Sequence, residues 1–522
     1  QWNGVVCVCV CVCVRAERDC VLITGLLHLV QQSLVERLQQ RIFARAAFEF
    51  TFRLTHLPHQ TLKEHYPPSL SNRFFDVLNV QKGLPKLLID FSAALLQLIF
   101  GLILLSLYHS FFVSFGVFML FILVFILILT WNKALQTSLN ESKYKYKVAD
   151  WLEEVIRSVI PFKLTSNDFS MQKTDKLVYN YINYRKKHFS ILKLQFLNFT
   201  LFKTLITGGL LILGSILVLQ NELNLGQFVA SELIILIVIA ASEKLVTSIE
   251  VLFDVLTAVE KMGGITDLEI EKMEGMDFAT ADNGKGMKIG LQQLGFQYEA
   301  VKHPILSDFT LEIPANERVC IAGVSNSGKS TLLKMIASLY PQTQGVLTYN
   351  DLPRNNFSLG SLRARMGVVF REDVVFQGSL LENITLGREG LGLAEVQAVI
   401  ENVLLLPFVQ SLPEGLATEM RAEGYGLPSS VIRKILLARA IIHHPRLLLI
   451  DHSISDIELD EREQILRYLI QPDHNWTMII VSNRASVAAK CSRIIVLKDG
   501  KVGQDGKWEN IIQVEENTHL FF

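Results

Sequence analysis

Hydrophobic and polar positions divide this chain in two. From about Val21 to Glu260 the apolar residues come in long runs, and from about Lys285 onward short β-type and α-type segments alternate between glycine-rich turns. Phe91–Tyr108 and Phe111–Thr130 are almost continuous apolar runs, separated by His109 and Ser110. Phe199–Leu219 and Phe228–Ser248 form a second pair around the polar turn Asn221–Gln227. Each run is close to the roughly 20 residues that cross about 30 Å of hydrocarbon, so four membrane spans are expected. The last is interrupted by Glu232, Glu243 and Lys244, which must face a cavity, a neighbouring helix or the interface. Val21–Val30 is too short to span and reads as the end of a longer span whose start is missing.

The polar segments between these runs give the orientation. Arg37, Arg41, Arg45, Arg53, Lys63, Arg73, Lys82 and Lys86 precede the first clear span, and twelve Lys or Arg from Lys133 to Lys193 lie between the two pairs. The turns at His109–Ser110 and Asn221–Gln227 carry none. Positive charge favours the cytoplasmic side, which places the long segments there. Their apolar residues recur at helical spacing (Leu34, Leu38, Ile42, Ala46; then Leu152, Val155, Ile156, Val159), so the helices are expected to continue past the membrane. Trp131 and Trp151 read as interface or packing residues, and His443 and His444, before Pro445, as solvent-side.

Composition agrees with a membrane protein. Of 522 residues, 50% are hydrophobic and 19% charged, and mean hydropathy is +0.32. This excludes a disordered chain and a small disulfide scaffold. Net charge is −1 and pI about 6.9, which gives no basic field for nucleic acid. Cys7, Cys9, Cys11 and Cys13 alternate strictly with valine. The alternation reads as a period-two strand, as a thiolate tract, or as a translated GT dinucleotide repeat. We expect residues 1–20 to be low-complexity or artefactual sequence.

The second half carries a phosphate-binding signature. Gly323, Val324, Ser325, Asn326, Ser327, Gly328, Lys329, Ser330 and Thr331 satisfy G-x-x-x-x-G-K-[ST]. A β-type run, Arg318–Ala322, precedes it and a helical pattern follows, as the motif requires. Glycines let backbone N–H groups turn toward phosphate at a helix N-terminus. Lys329 would reach the β/γ-phosphates, and the Ser330 hydroxyl would ligate Mg²⁺. Arg446–Asp451 reads as a buried parallel strand ending in Asp451, which would hold the Mg²⁺ through water.

In these motifs the chain resembles the exporter-type half-transporters of the ATP-binding cassette (ABC) family, related to bacterial peptide and type 1 secretion exporters. The likeness runs from about Gly25 to Lys507. Glu141–Glu154 resembles the cytoplasmic extension of these exporters, Gly323–Thr331 their Walker A loop and Leu447–Asp451 their Walker B strand. The resemblance implies an α-helical polytopic membrane domain fused to an α/β P-loop NTPase domain, the ABC ATPase. The expected organisation is a membrane domain over 21–268, N-terminally truncated, a linker over 269–288, and a nucleotide-binding domain over 289–522. It implies ATP and Mg²⁺ as cofactors, with Tyr298 stacking on adenine. Its partners would be the lipid bilayer and a second half-transporter, with the ATPase domain cytoplasmic beneath a plasma or inner membrane.

The departures from the family pattern concern hydrolysis. Arg371 stands where the family has the glutamine that senses Mg²⁺ and the attacking water. His452 stands at the catalytic glutamate and Asn483 at the switch histidine. The LSGGQ signature is LPSSV, so Pro428 replaces its serine and Ser429 and Ser430 its glycines. Proline lacks an N–H, and the serines add side chains where glycine allows close approach. The expectation is a subunit that binds ATP but hydrolyses it weakly and needs a partner. A non-catalytic ATP-binding scaffold or a decayed gene product are the other readings. The cargo is not legible.

Overall fold

The computed structural model describes residues 2–64, 67–165, 167–299, 301 and 303–521, with side chains described from Arg18 onward except at residues 64, 67–69, 453 and 516. The chain forms two compact units, one of Gln1–Leu57 and Thr61–Ile270, the other of Pro58–Gln60 and Glu271–Phe522.

The first unit is helical. It contains α1 (Trp2–His56), α2 (His59–Glu64, whose first two residues belong to the second unit), α3 (Pro67–Asn72), α4 (Val77–Lys86), α5 (Ser92–Ser106), α6 (Ser110–Arg157), α7 (Val159–Leu164), α8 (Phe169–Leu219) and α9 (Leu225–Thr266). Among the described residues four helical stretches are long and apolar enough to cross a membrane: Leu70–Ser106, Ser110–Arg157, Phe169–Leu219 and Leu225–Thr266. Three of the four apolar runs lie within one of them, and Phe91–Tyr108 overlaps Leu70–Ser106 up to Ser106. The turn within each pair ends in a capped helix start. His109 Nδ1 accepts from the Phe111 N–H at 3.2 Å, and Asn224 and Gln227 form a reciprocal capping box at the start of α9.

The helices meet along stripes spaced three to four residues apart. Phe112, Phe115, Met119, Leu123 and Ile126 of α6 pack with Phe199, Phe202, Ile206 and Leu210 of α8 and with Ile235, Val238 and Ile239 of α9. The opposite faces, with Phe121, Phe125 and Ile128 among them, stay exposed, as expected where lipid is the solvent. Lys203 answers Glu243 at 3.7 Å across α8 and α9.

The period-two reading of the Val-Cys segment is corrected: its backbone is helical within α1. Alternation alone does not specify a strand where no partner strand is present to pair with it. The side chains of Cys7, Cys9, Cys11 and Cys13 lie outside the described residues.

The second unit contains β1 (Ile289–Phe296), β2 (Leu306–Ile313), β3 (Arg318–Gly323), β4 (Gln344–Tyr349), β5 (Leu352–Pro353), β6 (Met366–Val369), β7 (Gly378–Ser379), β8 (Glu419–Met420), β9 (Leu447–Asp451), β10 (Thr477–Val481), β11 (Arg493–Lys498) and β12 (Lys501–Gly506). The central sheet has the order β12-β11-β3-β10-β9-β6. It is parallel from β11 to β6, with β12 antiparallel at one edge. A second, antiparallel sheet has the order β2-β1-β4-β5. Side chains of the central strands alternate between two cores. Cys320, Ala322, Leu448, Ile450, Met478 and Ile480 enter one, while Val319, Ile321, Leu447, Leu449, Ile479 and Val481 enter the other. A sheet covered on both faces is why these strands read as unbroken apolar runs. Within the irregular stretch before β1, Phe278 and Met287 are fully buried in the second of these cores.

A candidate nucleotide cleft

β3 ends at the phosphate-binding loop, which leads into α10 (Lys329–Ile336). The geometry of the loop needs glycine at two points. Gly323 has φ +151, and a Cβ there would lie 2.5 Å from the Leu497 carbonyl oxygen; Gly328 has φ +96, and its Cβ would lie 2.8 Å from the Leu306 side chain. Absence of the two Cβ atoms lets the loop turn its N–H groups inward. Lys329 is folded over the loop and donates to the carbonyls of Gly323 at 2.8 Å and Val324 at 2.6 Å, and to Ser327 Oγ at 3.2 Å. Burial pushes its ammonium below the usual lysine range, and Asp451 opposes that shift.

Beside this loop lies a cleft of about 410 Å³, lined by Tyr298, Ile305, residues 325–331, Arg371 and His452. The Tyr298 hydroxyl is 3.1 Å from Thr331 Oγ1. The Tyr298 ring packs edge-on against Phe296 at 4.8 Å and Tyr340 at 5.5 Å. Asp451 is buried at the tip of β9, in register with Val481 at the end of β10. Val481 in turn pairs with Ile321 of β3. Chain reversal at the carboxyl ends of these strands collects Asp451, His452, Asn483 and the loop on one edge of the sheet.

His452 follows Asp451 in the left-handed region, with φ +51. Burial holds its imidazole below the usual histidine range, Asp451 opposes this, and Lys329 and Arg371 reinforce it. Near neutral pH the ring is therefore uncharged. Asn483 makes contacts that the sequence alone does not display. Its Oδ1 accepts from the Gly323 N–H at 3.2 Å, and its Nδ2 donates to the Gly323 carbonyl at 3.0 Å. The amide thus holds both backbone groups of the first loop residue.

Ser429 and Ser430 stand apart from this cleft. Pro428 caps the helix Ser429–Ile441 from an extended conformation, with no side-chain hydrogen bond at the cap, and neither serine lines the cleft. Arg433, one turn on, pairs with Asp456 at 3.2 Å and donates to the Arg371 carbonyl at 3.1 Å.

The solvent-side reading of His443 is corrected. His444 is exposed, but His443 is half-buried, with Nε2 3.2 Å from the Met366 carbonyl oxygen. Desolvation lowers its pKa to about 4. The helix ends at Ile441, with Ile442 as its cap, and His443 turns back over the edge of β6. Other residues were not singled out in the sequence. Ile305 lines the cleft, Lys334 pairs with Glu372, and the His59 ring packs on Tyr340 at 5.4 Å within the second unit. Only an assembled tertiary neighbourhood gives them partners.

Residues 20–242 match the family described as ABC transporter transmembrane region, and residues 306–455 the family ABC transporter. The chain belongs to the ABC transporters. It is 26% identical to the transport/processing ATP-binding protein ComA of Streptococcus pneumoniae over 355 residues, which is 67% of this chain and 48% of that protein. It is 27% identical to the alpha-hemolysin translocation ATP-binding protein HlyB of Escherichia coli over 313 residues, 59% of this chain and 43% of that one. The chain thus spans about half the length of these relatives. In fold it matches a bacterial Atm1-family ABC exporter solved with ATP bound, with TM-score 0.82 and 19% identity, over 94% of this chain and 85% of that one. This ABC transporter is a membrane-spanning helical domain joined to an ABC ATPase domain.

The donor set fits a magnesium nucleotide. Two glycine positions leave a cradle that a Cβ would fill, Lys329 sits on its floor, and a serine hydroxyl opens the helix behind it. Ser330, with Asp451 through water, would hold Mg²⁺. Bound there, the ion would neutralise charge between the β- and γ-phosphates.

Proposed function

We propose that this chain is one half of an ABC exporter, a subunit that binds Mg²⁺-ATP in its own cleft, hydrolyses it weakly, and works with a second half-transporter. One observation carries the reading: among the described residues, the cleft is lined by residues 325–331 of the phosphate-binding loop and by no carboxylate. Hydrolysis requires a positioned base to activate water, worth roughly 10²–10⁴-fold. At the corresponding place stands His452, a neutral imidazole on a strained backbone. Lys329 and Arg371 add positive charge that favours binding of a polyphosphate.

Binding of ATP across two cassettes would bias the membrane helices between inward- and outward-facing states, which needs differential affinity rather than turnover in every site. Pro428, Ser429 and Ser430 would face nucleotide held by the partner, where loss of an N–H and two added side chains weaken that second site. ComA and HlyB are named for processing, transport and translocation, which supports export from the cytoplasm as the direction of work. A plasma or inner membrane is the proposed location.

Binding and turnover of ATP, measured separately on the purified chain, test this. We expect binding that Lys329→Ala weakens more than about tenfold, the value of a lost charge-assisted bond. We expect little turnover alone, and turnover once a co-encoded half-transporter is added. Robust turnover by the chain alone, lost in His452→Ala, would overturn the proposal and make His452 a working base.

A further inference from the structure

The cleft crosses the central sheet, and the strand order fixes its two ends. Ile305 lies against the turn between β11 and β12, its carbonyl oxygen 2.3 Å from the place a Cβ on Gly500 would occupy. Tyr298, beside it in the lining, is tied to Thr331. Arg371 follows β6 at the opposite edge of the order β12-β11-β3-β10-β9-β6. Val369 of β6 is in register with Ile450 of β9. Two positions on, Arg371 stands level with His452, and both line the cleft.

The backbone around Arg371 is held from three sides. The Phe370 N–H donates to Asp373 Oδ2 at 2.7 Å. Glu372 pairs with Lys334 of α10. The Arg371 carbonyl accepts from Arg433 Nη2 at 3.1 Å, and Arg433 is paired in turn with Asp456 at 3.2 Å. The Arg371 side chain is different. It is exposed, it lines the cleft, and among the described residues its guanidinium has no hydrogen-bond acceptor and no carboxylate partner. A guanidinium carries its N–H donors in a rigid fork that matches phosphate oxygens two at a time. Set on a fixed backbone, with its donors unused, it is preorganised for an anion.

The strand order also says which anion. With the base on Tyr298, the phosphates cross the loop after β3 and come to β9 and β6 last. The group that reaches Arg371 is then the terminal phosphate of a triphosphate, and a diphosphate ends short of it.

We propose that Arg371 grips the γ-phosphate, so that this cassette holds ATP in preference to ADP and registers the terminal phosphate without having to remove it. The proposal rests on the nucleotide-binding reading and names the regulation of that same cleft. A site that lacks a carboxylate base and gains a cation at the far end of the phosphates is suited to sensing ATP more than to spending it.

Nucleotide affinity is measured with Mg²⁺ on the full chain in lipid nanodiscs, by displacement of a fluorescent nucleotide with ATP, with a non-hydrolysable ATP analogue and with ADP. We expect the parent chain to prefer both triphosphates over ADP by about tenfold or more, the worth of one charge-assisted hydrogen bond. Arg371→Gln should abolish that preference by weakening the triphosphates while ADP affinity stays nearly unchanged. Arg371→Lys, which keeps the charge and loses the fork, should retain part of it. Both variants alter an exposed side chain and leave the core intact. Equal losses for ATP and ADP, or an unchanged ratio, would overturn the proposal, because a general electrostatic or structural role moves both nucleotides together. Lys329→Ala reports on the underlying reading. If it weakens neither nucleotide, the nucleotide reading itself fails; if it weakens both while the Arg371 variants keep the ratio, only the γ-phosphate contact fails.

Discussion

Asn483 shows how one side chain can be read in part from sequence and completed by structure. Its place just after the apolar strand β10 is read from the sequence. Its double bond to Gly323 makes it a brace for the phosphate loop. In Asn483→Leu two hydrogen bonds to buried backbone disappear, which costs about 1–3 kcal/mol. Hydrogen exchange at the Gly323 amide should accelerate and ATP affinity should fall; unchanged exchange would show that the brace is dispensable. His443 gives a pH dependence. Its folded pKa of about 4 lies below the ordinary value near 6.5. Above that ordinary value both folded and unfolded states are neutral and the full stability is present. As pH falls toward 4 the unfolded state takes the proton first, so stability declines, and below 4 the loss levels off. The ceiling is about 3 kcal/mol. Chemical denaturation across this window should show the decline in the parent chain and a shallower one in His443→Gln.

At the scale of elements, sequence pattern and structure agree where a local signal decides the outcome. The phosphate loop was legible because its contiguous residues carry their own geometry: two glycines, a lysine and the start of a helix. The central strands were legible because burial on both faces removes polar residues. Of the readings of the Val-Cys segment, the strand fails because period two is only half of a strand's specification, the other half being a partner. Close helix crossings were not visible either. Gly101 of α5 would place a Cβ 2.4 Å from Val238 of α9, and Gly214 of α8 would place one 2.5 Å from Phe228. A larger side chain at Gly101 must push the two helices apart, at about 1–3 kcal/mol. Gly101→Val should therefore lower the thermal midpoint of the detergent-solubilised chain, while Gly208→Ala, which meets open space, should leave it nearly unchanged.

At the scale of the molecule, each unit follows its own solvent. The helical unit keeps apolar residues on both its inner and outer faces, and the α/β unit buries them in two layers against a parallel sheet. The cleft arises differently. Arg371, His452 and Asn483 are spread over more than a hundred positions, yet the parallel order of β6, β9 and β10 brings the ends of their strands to one edge.

The amino-acid sequence by itself determined the four apolar runs, the phosphate loop and the order of the motifs. Each depends on chemistry within a few neighbouring residues. Tertiary structure alone decided that Asn483 grips Gly323, that His443 turns inward, and that Ser429 and Ser430 stand away from the chain's own cleft. Hydrogen bonding and desolvation depend on which groups become neighbours in space, and residue type fixes that only after the chain has packed.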